Sequence, residues 1–315
     1  MVEQPTVSPN LPDSELIEAF GSNLEFSKEL APLTSFKTGG PARYFLPVRS
    51  VEEVIRVVKA ADRLKIPVFV MGGGSNLLVS DEGFDGLVIR LEIFGLKVIG
   101  KTEVESGGGE LLSSLVNFAT EHSLAGIEFA AGIWGSVGGA IYGNAGAYGS
   151  EIGNVLRQTV LVDRSGCLKT VTSDYLQFDY RFSHLKETRE IVVSATFNLS
   201  SGNRSDIEKR VREILSQRAE RHPAERTAGC FFRNIPDDTQ AHGKLPAGRL
   251  LEEAGVKNLR VGGARVYEKH ANIIVTTDRA TSKDIRQLAD IMKKKVQDRF
   301  GIELQEEIQQ LGSFQ

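Results

Sequence analysis

Glycine placement constrains this chain more than any other feature. Its 32 glycines cluster at 72–74, 107–109, 132–149 and 262–263. Glycine raises the entropy cost of folding, so clusters mark places where main chain comes close to something. The first cluster, Gly72-Gly73-Gly74-Ser75-Asn76-Leu77, follows the apolar run Val68–Met71. It offers consecutive backbone N–H groups and two polar side chains at a strand's carboxyl end, a nest for phosphate or pyrophosphate. It is neither GxGxxG nor GxxxxGK[ST], which disfavours a Rossmann fold and a P-loop nucleotidase. A glycine turn without a ligand is the alternative for this motif taken alone. The second segment runs from Gly126 through Gly149 with almost no charged side chains. An elongated, partly apolar cofactor with a flat ring and a pyrophosphate suits such a wall, held through main-chain hydrogen bonds. Glycine-rich packing between domains is the competing reading.

A chain of 315 residues, 41% hydrophobic and 25% charged, is long enough for about two or three domains with their own cores. The 38 basic and 41 acidic side chains are interspersed and leave a net charge of −3. That pattern carries no footprint of nucleic acid or of an anionic membrane. Cys167 and Cys230 lie outside any CxxC spacing, which argues against a disulfide framework or a zinc site and fits a reducing, cytoplasmic setting. No two histidines have metal-ligand spacing on one helix, so no metal is expected. The opening residues are polar and lack a basic-plus-apolar leader, and no run of about 18 apolar residues follows. The expectation is a soluble protein that is not exported, whose first 14 or so residues form a tail.

Ala42–Val48 reads as a strand, and Ser50-Val51-Glu52-Glu53 as a capping box that opens a helix. Val51, Val54, Ile55, Val58 and Ala61 recur at helical spacing before Pro67. Strands are expected at Val68–Met71, Leu87–Ile89 and Thr102–Glu105, then a helix with Leu112, Leu115, Val116 and Ala119 on one face. Past the glycine-rich segment, Thr159–Val162 and Leu168–Val171 are strands around Arg164-Ser165-Gly166, followed by Ile191–Leu199. Ser205–Arg221 reads as a charged linking helix. Pro246–Ala254 is a helix, Asn272–Thr276 a strand, and a last helix carries Ile285, Leu288, Ala289, Met292 and Val296 on one stripe. Alternation predicts a final strand over Ile302–Ile308.

The runs TSFKTGGPARYF (34–45), GGGSNLLVSD (72–81), GIEFAAGIWGSVGGAIYGNAGAYGSEI (126–152), YRFS (180–183), AGCFFRN (228–234), GGARVYEKHANIIVT (262–276) and IELQEEI (302–308) resemble, in order, those of the UDP-N-acetylenolpyruvoylglucosamine reductase family. The resemblance covers residues 30 to 312, and the compact stretch after YRFS resembles the family's shorter subclass. It implies an α+β chain: two α/β subdomains of the vanillyl-alcohol-oxidase type that clamp FAD, plus a C-terminal α/β substrate domain. The corresponding division is a tail over 1–22, FAD subdomains over 23–93 and 94–221, the second joined by the strand 302–312, and a substrate domain over 222–301. It further implies tightly bound FAD, NADPH as co-substrate, a UDP-sugar substrate and a monomer. The cofactor residues so implied are Gly72, Gly73, Gly74, Ser75, Asn76 and Leu77 in the first loop. In the second they are Gly132, Ile133, Ser136, Val137, Gly138 and Ala140, then Asn144, Gly146 and Ala147.

The implied reaction reduces the enolpyruvyl ether of the UDP-sugar, leaving negative charge on the α-carbon and its carboxylate. Such chemistry needs fixed positive charge where charge develops and a proton donor at that carbon. By motif, Arg181 matches the family's arginine, and its planar fork suits a carboxylate becoming an enediolate. Glu307 matches the glutamate that acts as a protonated, hydrogen-bonding acid. Strand alternation instead puts Glu306 on the face with Ile302, Leu304 and Ile308, so the residue pattern and the motif point to neighbouring carboxylates. Cys230 stands where better-known members carry a proton-donating serine. A thiol, with an ordinary pKa of about 8.5, is the stronger acid, at the risk of oxidation. Tyr180, Arg233, Asn234, Lys244, Lys269, His270 and Asn272 are the candidates for substrate diphosphate and uridine. Trp134 departs from the family's proline in its GIPG turn. A sugar or alcohol oxidase on the same flavin fold and a non-catalytic flavin-binding regulator are the rival readings.

Overall fold

The computed structural model describes residues 11–240 and 243–314. The chain divides into two compact units. One comprises the described chain up to Lys28, Ala42–Gly73 and Asp85–Gln217; the other comprises Glu29–Pro41, Gly74–Phe84 and the chain from Arg218. No helix among the described residues is long and apolar enough to cross a membrane.

The first unit is built on two larger sheets. Four strands lie in the order Glu25–Glu29, Pro41–Val48, Phe84–Leu91, Val68–Met71, and the last two pair in parallel, Val68 opposite Leu87. The helix Val51–Leu64 joins the strand Pro41–Val48 to Val68–Met71. Ser50 caps it by accepting a hydrogen bond from Glu53 N at 3.1 Å, while the Glu53 carboxylate takes Arg49 N rather than the Ser50 N–H of a strict capping box. Val54, Val58 and Ala61 are buried as the spacing predicts, joined by Val57 and Ala60. The second sheet is antiparallel, in the order Leu168–Thr172, Leu156–Val162, Ile191–Asn198, Glu103–Gly107, Leu96–Ile99. It shares a core with the helices Leu112–Glu121 and Val137–Tyr142, in which Leu112, Leu115, Val137, Ile141 and Phe197 are all shut away from water.

Of the expected tail over 1–22, residues 1–10 lie outside the described residues. From Asp13 the chain is a helix to Phe20 that buries Leu16, Ala19 and Phe20. The polar composition of the opening residues masked three apolar positions that share one helical face.

The second unit is built on the antiparallel strands Arg260–Val261, Ala264–Tyr267 and His270–Thr276. The helices Ala247–Glu253 and Ser282–Phe300 contribute to its core, and the longer one buries all five residues of the predicted stripe. The strand expected over Ile302–Ile308 is corrected: the ladder strand is Gln309–Leu311, parallel to Leu77–Val79. Its partner therefore lies at residues 77–79, not in the 94–221 region. Residues 302–308 do bury Leu304 and Ile308, but among the described residues their strand-type pairing is limited to the isolated bridge of Glu306 with Phe232. Alternation reports which side chains are covered; it does not report a hydrogen-bonded partner. Leu77–Val79, buried at all three positions, has no alternation to betray it.

Candidate active site

In the first unit the two glycine segments meet. The strand Val68–Met71 delivers Gly72 and Gly73 against the turn before the helix Val137–Tyr142. A Cβ on Gly72 would fall 2.1 Å from Ser136 Oγ, and one on Gly73 2.9 Å from Gly135 Cα. Ser136 caps the helix, accepting from Gly139 N at 3.2 Å. Several main-chain donors of this wall are already engaged: Ile133 N to Ala130 O, Val137 N to Glu110 O, Gly138 N to Gly108 O and Ala140 N to Ser136 O, at 2.8 to 3.0 Å. Those N–H groups are unavailable to a ligand. The same turn carries Gly132 at φ 72° and presents Trp134 with 62% of its surface exposed.

The contact makes a prediction. Gly72→Ala drives a methyl into Ser136, and such overpacking destabilises by about 1–3 kcal/mol. A melting temperature several degrees lower is expected, with part of the loss recovered when Ser136→Ala removes the clashing hydroxyl. A melting curve unchanged from wild type would contradict the close approach.

Arg181 sits in a turn of the same unit in which Asp179 and Phe182 exchange backbone hydrogen bonds at 3.2 and 3.0 Å. Its φ is 55°, a left-handed conformation disfavoured for a side-chain-bearing residue and commonest where the surroundings enforce it. Its Nη1 donates to Gly146 O at 2.9 Å, and the guanidinium carbon lies 5.6 Å from the Tyr180 ring centroid. Asn144, fully buried, donates from Nδ2 to Asp179 O and accepts from Gly153 N, both at 3.0 Å. Lys186, which sequence reading passed over, donates to Arg181 O at 2.6 Å. The Gly146–Ala147 pair is a short strand facing Ser150–Glu151.

In the second unit Cys230 and Glu307 lie on hydrogen-bonded neighbouring segments. Cys230, partly buried, bridges Ile273, and Glu307 N donates to Phe231 O at 2.8 Å. The latter half of the first glycine loop joins them: Asn76 Nδ2 donates to Glu307 O at 3.0 Å, and Gln309 N to Asn76 O at 3.1 Å. Gly74 lies against Leu33, where a Cβ would come 2.2 Å from the carbonyl oxygen, and Ser75 O accepts from Ser35 Oγ. Glu306, the carboxylate that alternation favours, is held 2.8 Å from Arg286 and accepts from Gln310 Nε2 at 2.6 Å. Asn272, 1% exposed, uses both ends of its amide on Phe232, accepting from its N at 2.9 Å and donating to its O at 2.8 Å. Asn234 Oδ1 accepts from Ala247 N at the start of a helix. The Nε of Arg233 is buried without a hydrogen-bonding partner. Lys244 lies in a short strand pairing with Pro236, and Lys269 is exposed.

Two histidines in this unit are held below the usual imidazole range. Burial is the largest cause for both; His222 falls to about 4, with the charges of Arg218, His270 and Arg221 adding to the effect. His270 Nδ1 accepts from Asn272 N at 3.3 Å, which places its proton on Nε2. A histidine with a lowered folded pKa binds fewer protons than in the unfolded chain, so its contribution is intact above about pH 6.5 and is lost as pH falls towards 4. His222→Gln is therefore expected to flatten the acid loss of stability between pH 7 and pH 5, by on the order of 1 kcal/mol for a half-buried ring. Denaturant midpoints at the two pH values measure it; parallel losses in both proteins would contradict the assignment.

Family models match both parts of the chain. Residues 41–172 match the FAD binding domain, and residues 221–311 match the C-terminal domain of UDP-N-acetylenolpyruvoylglucosamine reductase. The UDP-N-acetylenolpyruvoylglucosamine reductase of Caldanaerobacter subterraneus is 38% identical, over 89% of this chain and 90% of that one. The chain belongs to the UDP-N-acetylenolpyruvoylglucosamine reductase family. The Anoxybacillus flavithermus reductase is 35% identical over 95% of this chain and 97% of its own. The crystal structure of the Thermus caldophilus reductase superposes with a TM-score of 0.76 at 33% identity, covering 92% of this chain and 98% of that one. Set against this family, what sequence reading missed is the scaffolding of the motifs: Asn144 and Asn272 clasp other segments, and Lys186 and Ser183 hold the arginine turn. No spacing rule flags a buried amide bonded to main chain far along the sequence.

Proposed function

We propose that this chain reduces UDP-N-acetylglucosamine enolpyruvate to UDP-N-acetylmuramate with NADPH, as a cytoplasmic FAD enzyme of peptidoglycan precursor synthesis. The observation that carries the reading is the side-by-side placement of the segments bearing Cys230 and Glu307, with Asn76 of the glycine loop bonded to the Glu307 carbonyl. Family membership supports it, the Caldanaerobacter subterraneus relative matching over 89% of this chain. The FAD-clamping architecture is proposed to be of the vanillyl-alcohol-oxidase type, with subdomains over 23–93 and 94–221 and a substrate domain over 222–301.

The residues present suit the cofactor. Gly72 and Gly73 pack on Gly135 and Ser136 with no room for a side chain, leaving main chain as the surface on offer. Gly72 to Leu77 and the wall over 132–140, with Gly146 and Ala147, would hold the dinucleotide; Asn144, its amide spent on Asp179 and Gly153, is not among them. Bound there, FAD would supply hydride chemistry between NADPH and the β-carbon of the vinyl group.

The protein's own groups then manage the charge and the proton. Arg181 places its fixed positive charge on the substrate carboxylate, lowering the energy of the enediolate. The Cys230 thiol delivers its proton to the α-carbon, and the thiolate is reprotonated from solvent to close the cycle. Glu307, in its protonated form, donates a hydrogen bond to the same developing charge. Tyr180, Arg233, Asn234, Lys244, Lys269 and His270 serve the diphosphate and uridine. Given the amide bonds of Asn272 to Phe232, its part in this proposal is to hold the Cys230 segment in place. NADPH oxidation that requires the enolpyruvyl UDP-sugar tests the reading. NADPH consumption driven by oxygen alone would favour an oxidase and sink it.

A further inference from the structure

Three side chains tie the segment 142–146 to the turn that carries Arg181. Ser183 Oγ donates to Tyr142 O at 2.8 Å, Asn144 Nδ2 donates to Asp179 O at 3.0 Å, and Arg181 Nη1 donates to Gly146 O at 2.9 Å. Every second residue of one strand of chain is thus bonded to the turn 179–183. Asn144 is the middle tie and differs from the other two. It is 0% exposed, itself left-handed at φ 43°, and its amide engages two main-chain segments at once, Asp179 O through Nδ2 and Gly153 N through Oδ1.

The carbonyl of Asp179 also accepts from Phe182 N, the bond that closes the turn around Arg181. Both residues between Asp179 and Phe182 are fixed by that closure, and Arg181 adopts φ 55° there. A strained backbone persists only where its surroundings over-determine it. The buried amide supplies such a restraint, since a donor and an acceptor in a dry site hold their partners more firmly than at the surface.

We propose that Asn144 is a positioning residue for Arg181: it fixes the turn that aims the guanidinium and acts on the reaction only through that arginine. This rests on the role given to Arg181 above. Sequence reading placed Asn144 among the cofactor contacts; its buried, doubly bonded amide points to this different duty.

Asn144→Asp tests it with little change of shape. The carboxylate still accepts from Gly153 N but loses the donor to Asp179 O. Asn144→Gly removes both bonds and tolerates the left-handed backbone, so it decides the question should the aspartate variant fold poorly. Two rates are followed in each protein by rapid mixing: bleaching of the flavin by NADPH, and its recovery on adding the enolpyruvyl UDP-sugar. The expected result is an unchanged first rate and a second rate lower by about 10- to 100-fold, the loss that a small misalignment brings. The double variant Asn144→Asp with Arg181→Ala should then be within about twofold of Arg181→Ala alone, because residues acting as a unit are not additive. Losses that multiply, or an Asn144→Asp rate near wild type, overturn the positioning role. A normal second rate in Arg181→Ala itself overturns the role of the arginine, and this inference falls with it.

Discussion

Cys230→Ala is expected to lose at least about 100-fold in reduction of the enolpyruvyl UDP-sugar, the usual scale for removing a positioned acid, while its flavin is still bleached by NADPH at the wild-type rate. Cys230→Ser is expected to keep substantial turnover, because a hydroxyl at the same place is a weaker acid but still a donor. The segment is well anchored for either change: its neighbours Phe231 and Phe232 are buried, and Asn272 grips the Phe232 main chain at both ends. A thiol also brings a liability that the serine variant removes. Mild peroxide should silence the wild type and spare Cys230→Ser, as oxidation converts the thiol to sulfenic acid. Cys167, exposed in the turn after Ser165, is present in both proteins and so cannot produce that difference. Normal substrate turnover in Cys230→Ala would remove the thiol from the mechanism.

Arg181→Ala carries the second large effect, an expected loss of about 100- to 1000-fold in the substrate-dependent step, the range seen when a preorganised charge-stabilising group is removed. Arg181→Lys should recover little of it. An ammonium keeps the charge but cannot donate to Gly146 O and offer a planar fork to a carboxylate at once. NADPH bleaching in both variants should match wild type. A lysine variant close to wild-type activity would show that only net charge matters here and that the fork and its bond to Gly146 do not.

Much of the fold was readable because the relevant forces are local. The helix over Ser282–Phe300 buries the five residues that its spacing singles out, and the hairpin of Leu156–Val162 with Leu168–Thr172 closes at Asp163–Cys167 as its turn residues demand. What stayed hidden was long-range. Leu77–Val79 finds its ladder partner more than two hundred residues later, and no local pattern encodes such a pairing. The glycine loops were legible as close approaches, yet which main-chain donors remain open was not, since Val137 N and Gly138 N are claimed by Glu110 O and Gly108 O. The choice between Glu306 and Glu307 shows the same divide: periodicity selected Glu306, which the structure engages with Arg286 and Gln310, an ion pair that nothing near it in sequence announces.

In the proposed reaction, electrons from NADPH reach an enolpyruvyl carbon on this protein and its own thiol completes the product with a proton. The direct measurement is anaerobic: reduce the purified, flavin-loaded protein with one equivalent of NADPH, remove the oxidised nucleotide, and add the enolpyruvyl UDP-sugar. The oxidised flavin spectrum is expected to return with one equivalent of UDP-N-acetylmuramate formed. A flavin that stays reduced until air is admitted would contradict it.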